Sequence, residues 1–406
     1  MYGWEMQVSQ AGFPAPVIVS STDDLAQLCA RLKQEPFVTI DTEFVREHTY
    51  WPELCVVQLG GVSDVAVIDT LAPGLDLAPL ADLLATESCV KVFHAARQDL
   101  EIFLHLFDAL PCSIFDTQVA AMVGGYGDQV GYDTLVSAIT GASIDKTHRF
   151  SDWSARPLSK AQIAYAAADV THLRDVYLTL HRELEKQNRL HWADAELAVL
   201  NDPATFRPDP RRQWERLKAR TNNRRMLGVL REVAAWREME AQALNIPRQR
   251  LIRDESLLEI AAVRPQDADS LSRVRGVSRG FAEGKAAPGL LAAIKLGLDL
   301  PEKDLPRPPR KPEGAKPSSA LVALLKVVLA ASCEANRVAP KLVANSEDLD
   351  SLALGETDSP VLQGWRRAVF GEDALALLRG DIQLAVAGRS VRLIRAQKSS
   401  EETVSP

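Results

Sequence analysis

Residues 38–45 read VTIDTEFV, and this stretch decides how the first half of the chain folds. Its β-branched residues are typical of a buried strand, yet Asp41 and Glu43 interrupt them two positions apart. Because side chains alternate along a strand, both carboxylates point to the same face, about 6–7 Å apart along the chain. Two anions held side by side at a sheet repel each other and lose hydration. The pattern therefore indicates that a cation lies between them.

The composition indicates a globular protein of several domains. Of the 406 residues, 46% are hydrophobic and 25% are charged, which suits about two to four domains of ordinary size. Five scattered cysteines without a CxxC pair predict reduced thiols in a cytoplasmic protein, not disulfides or a zinc site. The first residues show no signal-peptide pattern. The longest apolar stretch, ALVALLKVVLAA, is shorter than the roughly 20 residues of a membrane span, so no membrane partner is predicted.

The net charge of −7 is distributed unevenly along the chain. Residues 1–206 hold 13 Lys and Arg against 28 Asp and Glu, whereas residues 207–300 hold 19 against 12. An acidic body followed by a basic segment is typical of proteins that bind nucleic acid through one part of the chain. The local excess of +7 favours phosphate binding by the second segment over a merely solvated helical face.

Strand and helix patterns alternate in the first half of the chain and give way to helical patterns afterwards. Runs such as CVVQLGG, VAVIDT and CVKVFHA resemble strands, and ARQDLEIFLHLF has apolar residues at helical spacing. Three prolines within 201–210 mark a boundary, and six prolines with five basic residues mark a stiff linker further on. The predicted organisation is an α/β domain at 1–206, an all-helical domain at 207–299, a linker at 300–319, a second helical domain at 320–395 and a disordered tail at 396–406.

Three more residues belong with the first two carboxylates. Asp99 lies just inside a helix that follows a strand, and Tyr165 and Asp169 are four apart, which places them on one face of a helix. Only alanines separate Tyr165 from Asp169, so that face can approach the sheet closely. Four carboxylates are the ligands that hard cations such as Mg²⁺ prefer. The set predicts a site for two divalent metal ions, Mg²⁺ or Mn²⁺, that clamp a phosphodiester during hydrolysis.

The motifs DTEF, HAARQDLE and YAAADV resemble the three exonuclease motifs of the DEDD superfamily, in the subclass with tyrosine in the third motif (DEDDy). The longer stretches TYWPELCVVQLG, IFDTQVAAM and DKTHRFSDWSARPLSKAQIAYAAADVTHL resemble the ribonuclease D family over nearly the whole first domain. The stretch WREMEAQALNIPRQRLIRDESLLEIA resembles the HRDC domain of that family. The segment 320–395 is similar in position to a second, diverged HRDC-like domain.

This resemblance implies a ribonuclease H-like exonuclease domain, with a mixed five-stranded sheet and flanking helices, followed by one or two all-α HRDC-type domains. It implies a 3′-to-5′ exoribonuclease that releases nucleoside 5′-monophosphates, acts on single-stranded 3′ ends, matures precursor tRNA and other small structured RNAs, and is a monomer. Asp41, Glu43, Asp99 and Asp169 would be the metal ligands, and Tyr165 would orient the attacking water. A phenol with a pKa near 10 is protonated at neutral pH and suits that role.

Several alternatives stay open at this level. A related DNA 3′-5′ exonuclease of the proofreading or repair type is the competing enzyme, since no contact to a 2′-hydroxyl can be identified. A catalytically silent RNA-binding scaffold would lack a metal ligand, and all four are present. The chain has no GxxxxGK[ST] loop, which argues against an ATP-driven helicase.

Five neighbouring residues have both a structural and a functional interpretation. His94 fits a structural role better than a nucleotide contact, Phe44 fits core packing, and Asp116 fits a helix N-cap. Trp153 and Arg156 either line the groove beside the site or anchor the loop before the third motif.

Overall fold

The computed structural model describes residues 15–308 and 316–395. Within these ranges the chain forms three units with separate cores, called here the first, second and third units. The predicted disordered tail at 396–406 and the centre of the predicted linker, 309–315, lie outside the described residues. Phe206 packs in the core of the first unit and Trp214 in that of the second. The predicted domain boundaries remain predictions.

The first unit is built on a mixed sheet. Its strands are β1 (Val17–Val19), β2 (Phe37–Val45), β3 (Glu53–Gly60), β4 (Val65–Asp69), β5 (Val90–Phe93) and β6 (Ile114–Asp116). They lie in the order β1-β4-β3-β2-β5-β6, with β3 antiparallel to both of its neighbours, β2 and β4, and the remaining neighbours parallel. The acidic strand β2 is therefore central, and the helices that follow β5 and β6 start at its carboxyl end.

The sheet has six strands, so the predicted count of five is wrong. The additional strand, β6, has three residues and pairs with β5 at the edge of the sheet. So short a run has no alternation that the sequence could reveal, and its last residue, Asp116, already serves as the N-cap of the next helix. The predicted α/β class is confirmed.

Helices cover both faces of this sheet. They are α1 (Thr22–Leu32), α2 (Ala78–Leu84), α3 (Arg97–Phe107), α4 (Thr117–Gly124), α5 (Tyr132–Thr140), α6 (Lys160–Lys186) and α7 (Leu190–Leu197). Leu100 and Phe103 of α3 are fully buried against one face, and Leu180 of α6 is fully buried on the other. The long helix α6 begins with a capping box between Ser159 and Gln162, which fixes its first turn.

Helix α6 approaches the sheet closely, as its small residues predict. The Thr39 hydroxyl on β2 donates a hydrogen bond to the Val170 carbonyl (2.8 Å), in the middle of α6. Gly60 on β3 makes this contact possible, since a Cβ there would lie 2.4 Å from Thr39 Oγ1 and 3.1 Å from the Val170 carbonyl oxygen. The close approach carries the acidic face of α6 onto the acidic face of β2.

The second unit is all-helical within the described residues. It contains α8 (Arg224–Ala243), α9 (Arg248–Leu251), α10 (Asp254–Val263), α11 (Ala268–Ser272), α12 (Arg279–Ala282) and α13 (Ala287–Asp299). Its core lies between α8 and α13, where Gly297 meets the backbone of Val229 so closely that a Cβ would lie 2.5 Å from the Val229 Cα. Short 3-10 helices at Pro203–Thr205, Pro210–Arg216 and Glu302–Asp304 flank this unit.

A buried hydrogen-bond cluster joins the first and second units. The Tyr50 hydroxyl, in the β2–β3 loop, donates to Glu238 Oε1 (2.5 Å) and accepts from Arg248 (2.8 Å) and Gln242 (3.0 Å). Arg248 also pairs with Glu238, and Asn245 Oδ1 accepts hydrogen bonds from the Tyr50 and Trp51 amides (3.1 and 3.0 Å). Although burial opposes it, the hydrogen bonds from Arg248 and Tyr50 lower the pKa of Glu238. We call these five residues, Tyr50, Glu238, Gln242, Asn245 and Arg248, the Tyr50–Glu238 cluster.

The third unit is helical at first and ends in a hairpin. It contains α14 (Ser319–Asn336), α15 (Pro340–Val343), α16 (Ser346–Ala353), α17 (Gly364–Arg366), α18 (Glu372–Arg379), β7 (Ile382–Ala387) and β8 (Ser390–Arg395), with a 3-10 turn at Pro360–Leu362 and a π-helical turn at Arg367–Gly371. The prediction of an all-helical domain up to residue 395 is therefore wrong for the last strands. Two alternating runs separated by Gly388 and Arg389 are typical of a hairpin, and Gly388 takes the positive φ of 64° that such a turn requires.

Judged by its length and composition alone, helix α14 could cross a membrane. Its fully buried residues Leu325 and Val328 face the core of the third unit. They pack there near Trp365 of α17, which stacks on Trp192 of the first unit with ring centroids 4.7 Å apart. One face of the helix thus packs into the core of the third unit.

Candidate active site

Three carboxylates from two distant parts of the chain meet at the centre of the first unit. One side-chain oxygen each of Asp41, Glu43 and Asp169 lies within 4.8 Å of the others. The first two project from the same face of β2, as their spacing predicts, and Asp169 comes from α6. The ladder between β2 and β3 shifts register between Glu43 and Phe44, at the point where the acidic segment ends.

Asp99 lies beside this group and is buried. It belongs to the first turn of α3, and its carboxylate accepts a hydrogen bond from the Thr42 hydroxyl, on the strand residue between Asp41 and Glu43. Burial and the nearby Asp41 carboxylate both raise the pKa of Asp99 well above its ordinary value. The structure therefore gathers Asp41, Glu43 and Asp169 within 4.8 Å of one another and places Asp99 beside this group, bound to Thr42.

The acids strongly resist ionisation together. Burial raises the pKa of Asp41 to about 7, and burial together with Asp41, Asp169 and Asp99 raises that of Glu43 to about 9. Burial and Asp41 likewise raise the pKa of Asp169 well above its ordinary value. The positive charge of Arg149 acts in the opposite direction and lowers the pKa of Glu43. Closely spaced hard oxygens whose charge is uncompensated fit a divalent cation.

Tyr165 lies one helical turn before Asp169 and packs against Trp153, with ring centroids 6.0 Å apart. Burial and the carboxylates of Asp169, Glu43 and Asp41 raise the pKa of its hydroxyl. The phenol therefore stays protonated at neutral pH and can donate a hydrogen bond. Tyr165, Asp41 and Asp169 all line a cleft of about 290 Å³.

Other residues of this cleft escape prediction from sequence. The Tyr132 hydroxyl donates to the Asp169 carbonyl (2.6 Å) and so fixes the backbone that carries this acid. Lys146, paired with Asp133 (2.7 Å), and Arg149 bring positive charge to the cleft. Both basic residues lie in DKTHRF, residues 145–150. Because Lys146 and Arg149 are far from the three motifs along the chain, their place in the cleft could not be predicted.

His94 has a mixed environment. Its Nδ1 lies 3.0 Å from the Thr117 hydroxyl, which supports the structural role. Its Nε2 is buried without a hydrogen-bond partner among the described residues, and the side chain lines the cleft. Burial lowers the pKa of the imidazole, with Asp116 opposing the shift. Since Nε2 has no partner, the histidine is both held by the fold and available to a ligand.

Asp116 caps α4, as predicted, by accepting hydrogen bonds from the Gln118 and Val119 amides. It also accepts from the amides of Ala95 (3.0 Å) and Ala96 (2.8 Å), in the turn that leads into α3. Ala95 has a positive φ of 60°, so this turn is held in a conformation that alanine rarely adopts. One carboxylate therefore fixes the turn that positions Asp99.

Trp153 and Arg156 are anchors of the loop before α6. Trp153 is buried, and Arg156 pairs with Asp69 (2.7 Å) while donating to the carbonyls of Trp153 (2.7 Å) and Cys55 (2.8 Å). These contacts fasten the loop to β3 and β4. Phe44 packs against the core of the first unit, as predicted.

Comparisons with known proteins agree with this architecture. A family model described as a 3′-5′ exonuclease matches residues 16–185, and the HRDC domain model matches residues 226–294. The chain is 65% identical to ribonuclease D of Gluconacetobacter diazotrophicus, over 96% of this chain and all of the relative. It is 66% identical to ribonuclease D of Granulibacter bethesdensis, over 95% of this chain and 98% of the relative.

The crystal structure of Escherichia coli RNase D, described as an exoribonuclease involved in structured RNA processing, superposes with a TM-score of 0.76. It is 28% identical, and the match covers 90% of this chain and 99% of that one. The fold, the acidic cleft and these matches define the class of 3′-5′ exonucleases that carry an HRDC domain. The chain belongs to the ribonuclease D family. It is a 3′-to-5′ exoribonuclease that acts in RNA processing, and neither a DNA exonuclease nor a silent scaffold is favoured.

Proposed function

We propose that Asp41, Glu43, Asp99 and Asp169 hold two divalent cations, Mg²⁺ or Mn²⁺, at the floor of the active-site cleft. The single observation that supports this proposal is the convergence of Asp41, Glu43 and Asp169 within 4.8 Å. When bound, a pair of such ions lowers the pKa of a water molecule and neutralises charge that develops on a phosphodiester. The four acids would hold the ions in a fixed position by ligands from β2, α3 and α6.

The residues of the chain would position the reactants. The protonated Tyr165 hydroxyl donates a hydrogen bond that orients the attacking water, whose oxygen bonds to phosphorus as the bond from phosphorus to the 3′-oxygen breaks. The freed 3′-oxygen takes up a proton, and the terminal residue leaves as a nucleoside 5′-monophosphate. Lys146 and Arg149 line the cleft and offset the negative charge of the RNA backbone.

The substrate would be RNA with a single-stranded 3′ end, with precursor tRNA and other small structured RNAs as the class. The cleft of about 290 Å³ suits an unpaired terminus better than a duplex, and the E. coli relative is described as acting on structured RNA. We place the enzyme in the cytoplasm as a monomer, with domain limits at 1–206, 207–299 and 320–395.

Matched RNA and DNA oligonucleotides with 5′ labels and a 3′ overhang test this proposal. In Mg²⁺ or Mn²⁺, the wild-type protein should shorten RNA one nucleotide at a time from the 3′ end and release 5′-monophosphates. The Asp41→Ala protein should not do so. Equal activity in the two proteins, or a preference for DNA, would overturn the assignment.

Divalent cations should stabilise the fold because they relieve repulsion among the four acids. At a metal concentration of about 100 times Kd, binding adds about 2.7 kcal/mol to the free energy of unfolding, a rise in Tm of roughly 5 °C or more. Scanning calorimetry in EDTA and in Mn²⁺, with K⁺ at equal ionic strength as control, measures this rise in Tm. Without metal, Asp169→Asn should melt above wild type, since one repelling charge is gone. A wild-type Tm insensitive to Mn²⁺ would contradict metal binding.

Phe150 is an exposed aromatic ring beside the cleft. Its side chain is 91% exposed, and the guanidinium carbon of Arg149 lies 5.5 Å from its ring centroid. Stacking of a base on an aromatic ring contributes about 1–3 kcal/mol. We therefore expect Phe150→Ala to raise KM for single-stranded RNA about tenfold with little change in kcat, and Phe150→Trp to restore it. Val386→Ala, at another exposed apolar residue, is the control, and an unchanged KM for Phe150→Ala would exclude stacking.

A further inference from the structure

A second, larger cleft lies between the first and second units. Its volume is about 850 Å³, within the range of ligand-binding clefts. Arg46, Trp51 and Arg97 line it from the first unit, and Gln213, Arg216 and Gln249 line it from the opposite side. We call it the interdomain cleft. The Tyr50–Glu238 cluster joins the two walls, so their separation is fixed by buried hydrogen bonds.

Two of the arginines in this cleft are free to bind an anion. Five arginines and three carboxylates line it, and Arg46 and Arg237 are engaged with Glu101 (2.9 Å) and Asp254 (2.7 Å). Arg97 and Arg216 are exposed and have no carboxylate within 4.0 Å in the described parts of the chain. Arg97 is held in place by the Thr205 carbonyl (3.3 Å) and by the Phe206 ring, 5.5 Å away. The two free guanidinium groups suit phosphate oxygens.

The cleft also offers a rigid aromatic surface. The Trp51 indole stacks on His105 with ring centroids 4.2 Å apart and an angle of 10° between the rings. Its backbone amide is held by Asn245 of the second unit (3.0 Å). Fixed aromatic rings next to unpaired arginines are the combination that binds single-stranded nucleic acid without reading its sequence.

The interdomain cleft shares a wall with the active-site cleft. At the start of α3, Ala95 lines the active-site cleft and Arg97, two residues further on, lines the interdomain cleft. Asp41, in the middle of β2, lines the former, and Arg46, directly after the last residue of β2, lines the latter. A strand whose 3′ end reaches the acids can therefore continue past this wall into the second cleft.

We propose that the interdomain cleft binds the RNA backbone upstream of the 3′-terminal nucleotides, with phosphates on Arg97 and Arg216 and a base against Trp51. This inference rests on the proposed exonuclease function and assigns the path of its substrate. It explains why a helical unit is fixed so firmly to the catalytic one, since the second unit supplies half of the cleft.

The test compares short and long RNA in the full-length protein. We measure kcat/KM for a single-stranded trinucleotide, which cannot reach both clefts, and for a dodecamer with the same 3′ end. In wild type the dodecamer should be strongly preferred, and in the Arg97→Gln/Arg216→Gln protein this preference should fall about tenfold. Arg275→Gln, which removes an exposed arginine of the second unit that does not line the cleft, should keep the wild-type preference.

Binding at several salt concentrations gives a second readout. In an Asp169→Asn background, which prevents cleavage, the double arginine substitution should reduce the salt slope of dodecamer affinity by roughly 1.4, since each phosphate contact to a single strand contributes about 0.7. An unchanged length preference and slope would overturn the proposal, as would an equal loss on both substrates, which would place Arg97 at the catalytic centre. Failure of wild type to cleave either RNA would instead contradict the proposed function.

Discussion

Replacing Asp169 by asparagine should reduce hydrolysis of a single-stranded RNA at least about 10³-fold, the scale seen when a group that supports the transition state is removed. Asparagine keeps the size of the side chain but removes the charge from a group in which three carboxylates lie within 4.8 Å of one another. Single-turnover rates with saturating enzyme separate this loss from weaker binding. The fold should persist, because the substitution removes repulsion and leaves the Tyr132 contact to the Asp169 backbone in place.

A matched control lies on the same helix. Asp175 is also an aspartate of α6 and is only partly buried, outside the acidic group. Asp175→Asn should therefore hydrolyse RNA at close to the wild-type rate. If Asp169→Asn retained activity, or if both variants lost it equally, the acidic group would not be the catalytic centre.

Removing Glu238 should produce the largest loss of stability. This carboxylate is 1% exposed and pairs with Arg248. It also accepts a hydrogen bond from the Tyr50 hydroxyl across the junction between the first and second units. Its removal leaves a partly buried guanidinium group without a partner, which costs about 3 kcal/mol. We expect Glu238→Ala to lower Tm by roughly 6 °C or more, measured by scanning calorimetry.

An exposed ion pair in the same unit provides the comparison. Glu283 pairs with Arg279 on the surface, where the two side chains are 57% and 84% exposed. Solvent-exposed pairs contribute at most about 1 kcal/mol, so Glu283→Ala should change Tm only slightly. Equal shifts for Glu238→Ala and Glu283→Ala would show that the Tyr50–Glu238 cluster does not hold the two units together.

The elements of the candidate active site could be predicted because each has its own local pattern. Two acids at strand spacing fix one face of β2, and a tyrosine and an aspartate four apart fix one face of α6. The alanines between them indicate close packing, which the hydrogen bond from Thr39 to the Val170 carbonyl displays. These local periods carry enough information to place three acids and a tyrosine on converging surfaces.

Two features could not be predicted from the sequence, the Tyr50–Glu238 cluster and strand β6. Both depend on contacts between residues that are far apart along the chain. Nothing local to Tyr50 or Asn245 indicates that they meet across a junction almost 200 positions apart along the chain. Strand β6 is too short for a periodic pattern, and its edge position depends on β5. The β7–β8 hairpin is different, since its alternating runs and two-residue turn were visible in the sequence and were outweighed by the helical pattern before them.

Anomalous diffraction from crystals grown with Mn²⁺ and a short RNA whose 3′-terminal linkage resists hydrolysis would locate the metal ions directly. The acidic group predicts two manganese peaks, each within coordination distance of carboxylate oxygens from Asp41, Glu43, Asp99 and Asp169, next to the 3′-terminal phosphate. No peak at these carboxylates, in crystals whose RNA occupies the cleft, would contradict the account.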